Sequence, residues 1–212
     1  AKHLRMFVRV TICLLLFHAI SLPAAETFRV ATWNLENYLD RPVGSRPAKS
    51  QESKAAIHQM IRTMKPDVLA LQEIGSTNAL AELCAAGDFR YSEHVRAYDT
   101  NIHVAVLSRF PIIFARHHTS DSYLLFGRKH RVSRGFAEVT TQASPQYVFT
   151  LLTTHLKSRR PVPEGDEAAM REQEALILRA KVDVLLRANA DANVIVLGDL
   201  NDVQDSKSTR AV

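Results

Sequence analysis

The chain has 212 residues, of which 46% are hydrophobic and 23% are charged. That balance is typical of a folded globular domain and excludes a disordered chain, while two cysteines exclude a disulfide-rich scaffold. The formal net charge is +5, but three of the 27 basic residues and none of the 22 acidic residues precede Glu26, so the rest of the chain carries +2 and has no strong overall attraction for polyanions.

The N-terminal segment has the three parts of a secretory signal peptide. A basic flank is followed by an almost wholly apolar run from Val10 to Leu22, and then by small residues in Pro23-Ala24-Ala25. The apolar run has roughly 13 residues, fewer than the 20 or so that span a bilayer. We therefore predict a signal peptide over residues 1–25 and one secreted or periplasmic domain, without a membrane span, over residues 26–212. An uncleaved anchor or a buried N-terminal helix is the alternative.

Hydrophobic periodicity predicts strands and helices in a mixed order along the rest of the chain. Several strands follow one another directly, which favours helices that cover sheets over a simple βαβ repeat. The last predicted helix has Ile177, Ala180, Val184 and Leu185 on its apolar side. The predicted strands are 28–34, 68–71, 103–107, 112–115, 135–140, 147–154 and 193–197, and the predicted helices are 50–64, 77–86 and 167–188.

Four of the predicted strands end in polar side chains that a structural strand does not require. These are Asn34, Glu73, His155 and the pair Asp199 and Asn201. Each taken alone has an ordinary structural explanation as a cap or turn residue. Polar groups at strand ends converge on one crevice in open α/β sheets, and amide, carboxylate and imidazole groups can together hold a hard divalent cation and activate water. The set therefore predicts a metal-dependent hydrolytic site.

The last of these strand ends has a geometry of its own. Asp199 and Asn201 are two residues apart, so in extended backbone they point to one face and Leu200 points to the other. Gly198 allows the backbone to turn or another group to approach closely.

Five motifs in this order resemble those of the endonuclease/exonuclease/phosphatase superfamily, which has the deoxyribonuclease-I-like fold. The form HLKSRR and the secretory leader are similar to the bacterial extracellular members. The resemblance implies an α+β fold, a four-layered α/β/β/α sandwich in which two mixed β-sheets pack face to face with helices outside. The motifs are ATWNLEN (31–37), KPDVLALQE (65–73), VLSRFPI (106–112), LLTTHLKSRR (151–160) and VIVLGDLND (194–202).

The same resemblance implies a role for each strand-end residue. Glu73 matches the direct ligand of a Mg²⁺ or Mn²⁺ ion, and Asn34 helps to position the metal and the phosphate. His155 matches a histidine that contacts the scissile phosphate. Asp199 matches the carboxylate that orients or deprotonates the attacking water, and Asn201 matches an amide that hydrogen-bonds a phosphate oxygen.

Two basic runs, 128–131 with nearby Arg134 and 157–160, would ordinarily be solvated surface. The resemblance adds Arg134 and Lys157 as candidates for neutralising the phosphate. We expect a monomer that hydrolyses phosphodiester bonds of extracellular DNA or RNA. A phosphodiesterase acting on a lipid or sugar phosphate, and a non-catalytic binding module with the same fold, are the alternatives. Nucleic acid is favoured because the sequence shows no aromatic pair or long apolar hairpin that would mark a membrane-binding surface.

Superfamily members continue past the GDLND motif into further strands, a second Asp-containing motif and a terminal Ser-Asp-His-like motif. Here Val203 to Val212 follow, and no histidine comes after His155. We therefore expect that the last strands of the fold are missing and that this chain alone is inactive. A sequence that is a fragment and a protein that is truncated and inactive are the two explanations.

Overall fold

Two four-stranded β-sheets form the centre of the computed structural model, which describes residues 27–163 and 165–212. The predicted signal peptide lies outside the described residues. The elements are β1 (Val30–Tyr38), α1 (Gln51–Met64), β2 (Val68–Ile74), α2 (Thr77–Gly87), β3 (Tyr91–Val95), β4 (His103–Ser108), β5 (Ile112–His118), β6 (Ser122–Leu125), β7 (Arg128–Arg131), β8 (Phe136–Ser144), β9 (Tyr147–His155), α3 (Glu167–Ala188), β10 (Val194–Asp199) and α4 (Lys207–Ala211).

Both sheets are mixed. The first has the order β1-β2-β4-β3, with β1 and β2 parallel and the other pairs antiparallel. The second has the order β10-β9-β8-β5, with β10 and β9 parallel. Among the described strands, β1 and β10 lie at the edges of their sheets, and they contact each other across the sandwich. This contact brings the carboxyl ends of two parallel strand pairs to one end of the molecule.

Alternation along the strands divides the apolar side chains among three layers of core. In β2, Leu69 and Leu71 pack in a cluster with side chains of α1 and α2, whereas Val68 and Ala70 pack in the cluster between the two sheets. A third cluster joins the outer face of the second sheet to α3 and α4. The order of layers is therefore helices, sheet, sheet, helices, which confirms the four-layered sandwich.

Every predicted strand and helix is present, and four further elements were missed. Strands β3 and β7 are rich in polar and basic side chains, β6 belongs with β7 to a separate two-stranded ribbon, and α4 has only five residues. Short or strongly polar elements give weak periodicity, so their formation depends on pairing with neighbours. Within the described residues, no helix has both the length and the apolar character needed to cross a membrane.

The bounds of α3 agree with the prediction, and Ile177 and Leu185 pack against the core, but Ala180 and Val184 of the predicted apolar side are exposed. Val184 is 54% exposed, and the helix instead buries Leu178 and Val182 together with Arg171 and Glu174. The two charged side chains can lie inside because each has a partner: Arg171 Nε is 3.0 Å from the Asp202 carboxylate, and a Glu174 oxygen accepts a backbone N–H at 2.7 Å. Periodicity counts such residues as polar and so selects a different face.

One feature of the surface was not anticipated from the sequence. Strands β6 and β7 form a hairpin with Phe126 and Gly127 at its turn, and both have positive φ angles, as a two-residue type I′ turn requires. Leu124 and Phe126 on this hairpin are 74% and 75% exposed. The hairpin is short, with strands of four residues, so it differs from the long apolar hairpin that the sequence was expected to lack. Its two exposed apolar side chains were not anticipated, because exposure at a turn depends on where the hairpin projects from the fold.

Candidate active site

The predicted site residues meet where the parallel strand pairs end. Asn34 on β1 is in register with Gln72 on β2, and Glu73 comes next. Asp199 on β10 is in register with His155 on β9. Because β1 and β10 contact each other, the two strand ends of one sheet face the two strand ends of the other.

Asn34 links the two carboxylates of the site across the sandwich. Its Nδ2 donates to Asp199 Oδ2 at 2.7 Å and to Glu73 Oε1 at 3.4 Å. Its Oδ1 accepts the backbone N–H of Glu36 at 2.9 Å, which holds the amide in this orientation. One neutral side chain therefore sets the separation of two carboxylates that belong to different sheets.

Glu73 lies in a β-bulge with a left-handed backbone. Its φ is +65°, and the pairing of β2 shifts between Gln72 and the residue after Glu73. Gln72 is buried and lies 3.5 Å from the Thr153 hydroxyl of the other sheet, whereas the side chain of Glu73 is 15% exposed. The backbone N–H of Asn37 donates to Glu73 Oε2 at 2.8 Å. A left-handed non-glycine residue costs on the order of 1–3 kcal/mol, and here the bulge aims a carboxylate into the cleft.

Asp199 is positioned by the close packing of Gly198 on the neighbouring strand. Gly198 has φ +143°, and a Cβ at this position would lie 2.2 Å from the carbonyl oxygen of Thr154. Asp199 Oδ1 accepts the backbone N–H of Asn201 at 2.8 Å. Asn201 in turn has φ +54° and donates from Nδ2 to the Leu156 carbonyl at 2.9 Å. The motif therefore folds back on the end of β9, with the Asp199 side chain 28% exposed.

His155 lies beneath the two carboxylates. Its side chain is 3% exposed, and its Nε2 is 3.6 Å from Asp199 Oδ2 and 3.9 Å from Glu73 Oε1. Burial, together with the positive charge of Arg134, lowers the pKa of His155 to about 3, in spite of the opposing effect of Asp199. The lowered pKa favours the neutral imidazole, which packs against the carboxylates from inside the fold. Its predicted contact with a phosphate stays a prediction.

The two basic candidates lie beside this cluster and bind backbone carbonyls. Arg134 is 9% exposed, and its Nη1 donates to the Leu156 carbonyl at 3.0 Å, the same oxygen that Asn201 contacts. Lys157 Nζ donates to two carbonyls of its own loop, each at 3.3 Å. Burial and the neighbouring Arg134 lower the pKa of the Lys157 amine. Arg134 is thus fixed next to Asn201, and the phosphate role of both residues stays a prediction.

Arg46 is a site residue that the sequence did not indicate. Its Nη1 is 3.8 Å from Glu73 Oε2 and donates to the side-chain oxygen of Asn37. It reaches the site because a bridge between Val43 and Arg46 folds the loop back. Arg46 lies in the polar stretch between Arg41 and Ser50, and no spacing rule connects that stretch to Glu73, 27 residues further along the chain.

The residues present fit a hard divalent cation. Glu73 and Asp199 place two carboxylates in one cleft, joined by the amide of Asn34 and with the guanidinium of Arg46 at the edge. Within the described part of the chain, no group of three or more His, Cys, Asp or Glu side chains could enclose a metal. Mg²⁺ is commonly held by one or two carboxylates and several waters, so this sparse oxygen set suits it.

Comparison with known proteins supports the same architecture. The model of the Endonuclease/Exonuclease/phosphatase family matches residues 31–211. None of the curated proteins compared with the sequence matches it. Three similar solved structures are 16–20% identical to the chain, and at that level the likeness shows the fold alone.

The first is the human nocturnin catalytic domain with bound sulfate, with a TM-score of 0.65, 18% identity and coverage of 86% of this chain and 68% of that one. The second is a β-hairpin deletion mutant of beta toxin from Staphylococcus aureus, with a TM-score of 0.62, 16% identity and coverage of 87% and 70%. The third is sphingomyelinase C from Streptomyces griseocarneus, with a TM-score of 0.60, 20% identity and coverage of 87% and 68%.

Proposed function

The chain belongs to the endonuclease/exonuclease/phosphatase family, and on that premise we propose that it is a phosphoesterase that uses a divalent cation and water to hydrolyse phosphodiester bonds of nucleic acid. One observation carries the proposal: the amide of Asn34 holds Glu73 and Asp199, from two different sheets, around one cleft. A purely structural role does not require two carboxylates to be held together in this way, because like charges at short range destabilise the fold.

The two carboxylates take different roles in this proposal. Glu73, held by the N–H of Asn37, would be the ligand of Mg²⁺ or Mn²⁺, which when bound supplies positive charge to a phosphate oxygen. Asp199 is the more exposed of the two and would orient the attacking water and accept its proton. Asn34 keeps these groups at a fixed separation, so little reorganisation is needed when substrate binds.

His155 and Asn201 complete the set. The imidazole Nε2 of His155 lies 3.6 Å from Asp199 Oδ2 and 3.9 Å from Glu73 Oε1, so the ring packs beneath both carboxylates from inside the fold. Asn201 is held at the rim by the Leu156 carbonyl, beside Arg134. We assign Asn201 and Arg134 to the phosphate oxygens, with Lys157 as a further positive charge on the same side.

A lipid phosphodiester is the second candidate substrate. The observation that favours it is the hairpin with exposed Leu124 and Phe126, next to the basic strand β7. Apolar side chains flanked by cations are typical of surfaces that bind anionic membranes. The basic residues are equally suited to a nucleic acid backbone, so the substrate must be tested directly.

The proposal is tested with the purified full-length protein. Hydrolysis of DNA, RNA and sphingomyelin is measured with Mg²⁺ or Mn²⁺ and with a chelator. Asp199→Asn should lower turnover by orders of magnitude with little change in substrate binding, because it removes the group that orients water. Glu73→Gln should lower activity in a way that added Mg²⁺ partly restores, because it weakens a metal ligand. Asp205→Asn, on an 86% exposed carboxylate, is the matched control and should have no effect.

Three results would contradict the proposal. Activity that survives the chelator would remove the metal from the reaction. Equal recovery of Asp199→Asn and Glu73→Gln by Mg²⁺ would show that the two carboxylates do not have separate roles. Hydrolysis of sphingomyelin but of neither nucleic acid would select the second candidate substrate.

A further inference from the structure

A cavity separate from the active-site cleft lies beside the strand ends, between the β6–β7 hairpin, the loop after β9 and α3. Its volume is about 380 Å³, within the range of small-molecule sites in proteins. Lys157, two residues after His155, lies on its wall, and so does Ser133, which precedes Arg134. The cavity therefore opens next to the side of the active site to which we assign the phosphate.

Aromatic rings form part of the wall of this cavity. Tyr123 and His130 are cross-strand partners in the hairpin, and their rings stack with centroids 5.5 Å apart and an interplanar angle of 18°. Tyr98 is 63% exposed, and the guanidinium of Arg131 lies over its ring at 5.2 Å. Exposed aromatic faces and guanidinium planes are the surfaces on which unstacked nucleobases pack.

Positive charge surrounds the same cavity. Lys129, Arg131 and Lys157 all line it, and the first two are exposed. Glu174 contributes a carboxyl group to the wall of the cavity. This residue is 1% exposed, and its Oε1 has no hydrogen-bond partner among the described residues. A buried acceptor without a donor is costly, and an N–H from a bound molecule would offset that cost.

The apolar residues of the hairpin lie elsewhere. Leu124 and Phe126 are at the turn and do not line the cavity. Apart from Val162 and Met170, the cavity wall is aromatic, cationic or polar, which suits a base with its phosphate better than it suits a lipid chain. On the premise of the proposed nuclease function, we propose that this cavity binds one unstacked nucleoside of the substrate strand, next to the scissile phosphate. Tyr98 packs against the base, and Lys129, Arg131 and Lys157 contact the adjoining phosphate.

The proposal predicts a preference for single strands. A base has to leave the stack to enter the cavity, and a duplex opposes that step. Binding is measured by fluorescence anisotropy with a short labelled single-stranded oligonucleotide and with a duplex of the same sequence, in chelator so that no hydrolysis occurs. Tyr98→Ala should weaken single-strand binding by about fivefold to a hundredfold. Lys129→Ala should weaken it and reduce the slope of log affinity against log salt by about 0.7.

Two neighbouring residues provide matched controls. Phe126→Ala removes an exposed aromatic ring from the same hairpin, and Arg128→Ala removes a cation from the same strand, yet neither residue lines the cavity. Both controls should keep single-strand affinity within about twofold, as expected for surface positions without specific contacts. All four positions are exposed, so loss of folding does not confuse the comparison.

Several outcomes would overturn the proposal. Unchanged binding by Tyr98→Ala, equal losses in the controls, or equally tight duplex binding would each do so. Binding to phosphatidylserine vesicles that depends on Phe126, with no effect of Tyr98→Ala on oligonucleotides, would show that the hairpin contacts membranes instead. If Asp199-dependent hydrolysis persists in that case, the proposed function stands without the cavity. If oligonucleotides bind through Tyr98 and Lys129 but no phosphodiester is cleaved, the cavity assignment stands without the proposed function.

Discussion

Replacement of Gly198 by alanine tests how the fold positions the site carboxylate. The added Cβ would lie 2.2 Å from the Thr154 carbonyl oxygen, 0.8 Å inside the 3.0 Å that real Cβ contacts respect. The atom it meets is backbone in a paired strand, so β10 has to move away from β9. The backbone at φ +143° adds a second cost, because L side chains rarely adopt it.

The size of the effect follows from these two terms. Backbone strain costs about 1–3 kcal/mol and overpacking typically about 1–3 kcal/mol, so Gly198→Ala should lower the free energy of unfolding by about 2–6 kcal/mol. For a chain of this size, each kcal/mol shifts the melting temperature by roughly 2–4 °C. Denaturant titration, at unchanged slope, measures the loss. A shift of about 1 Å at Asp199 should also lower turnover by roughly a hundredfold.

Gly127→Ala separates the two terms. Gly127 has φ +75°, but nothing lies within 4 Å of the position of an added Cβ. This variant should therefore show the backbone cost of about 1–3 kcal/mol without the clash. If the two variants lose the same stability, the close approach of Gly198 to Thr154 does not determine the position of Asp199, and our reasoning is refuted.

Three further predictions concern stability. Burial raises the pKa of Glu174 from 4.5 to about 7, so ionisation of this carboxyl group opposes folding, and the free energy of unfolding should fall by at most roughly 3 kcal/mol as the pH rises from 4.5 through 7. Denaturation measured across this pH range should show no such fall for Glu174→Gln. Arg171→Met removes the 3.0 Å partner of Asp202, whose side chain is partly buried, and should cost about 1–3 kcal/mol, part of which the double variant with Asp202→Asn should recover. A double variant as unstable as the single one would count against a coupled pair. Leu69 packs between the first sheet and its helices, so Leu69→Ala should lower the free energy of unfolding, measured by chemical denaturation, by about 2–5 kcal/mol. Met60 on α1 is 48% exposed, so Met60→Ala should lower it by less than about 1 kcal/mol, and similar losses would contradict the layer assignment.

Much of the fold was predictable from local patterns. The helical spacing of 50–64 predicted α1, and the structure caps this helix with Ser50, whose side chain accepts the N–H of Ser53. The apolar run 68–71 predicted β2, because both faces of that strand are buried. The sandwich of two sheets came from the resemblance of the motifs, since periodicity shows which side of a strand is apolar but not which layer it meets.

The residue set of the candidate site was also accessible from the sequence. Strand ends are local features, and the site residues all lie at or just after the end of a predicted strand: Asn34, Glu73, His155, Asp199 and Asn201. The contact that unites them was not accessible, because Asn34 and Asp199 are 165 residues apart in the chain and touch only when two edge strands pack together. The roles of these residues stay predictions until the variants are measured.

Other features depend on tertiary structure alone. Arg46 reaches Glu73 because a loop folds back, and α3 buries Arg171 because Asp202 pairs with it. The Tyr98 ring contacts Arg131 because the loop after β3 packs beside the hairpin. The physical reason is common to all three. Side-chain periodicity records which residues prefer to leave water, and this preference is local, whereas ion pairs, bulges and cavities form only between segments that the whole fold brings together.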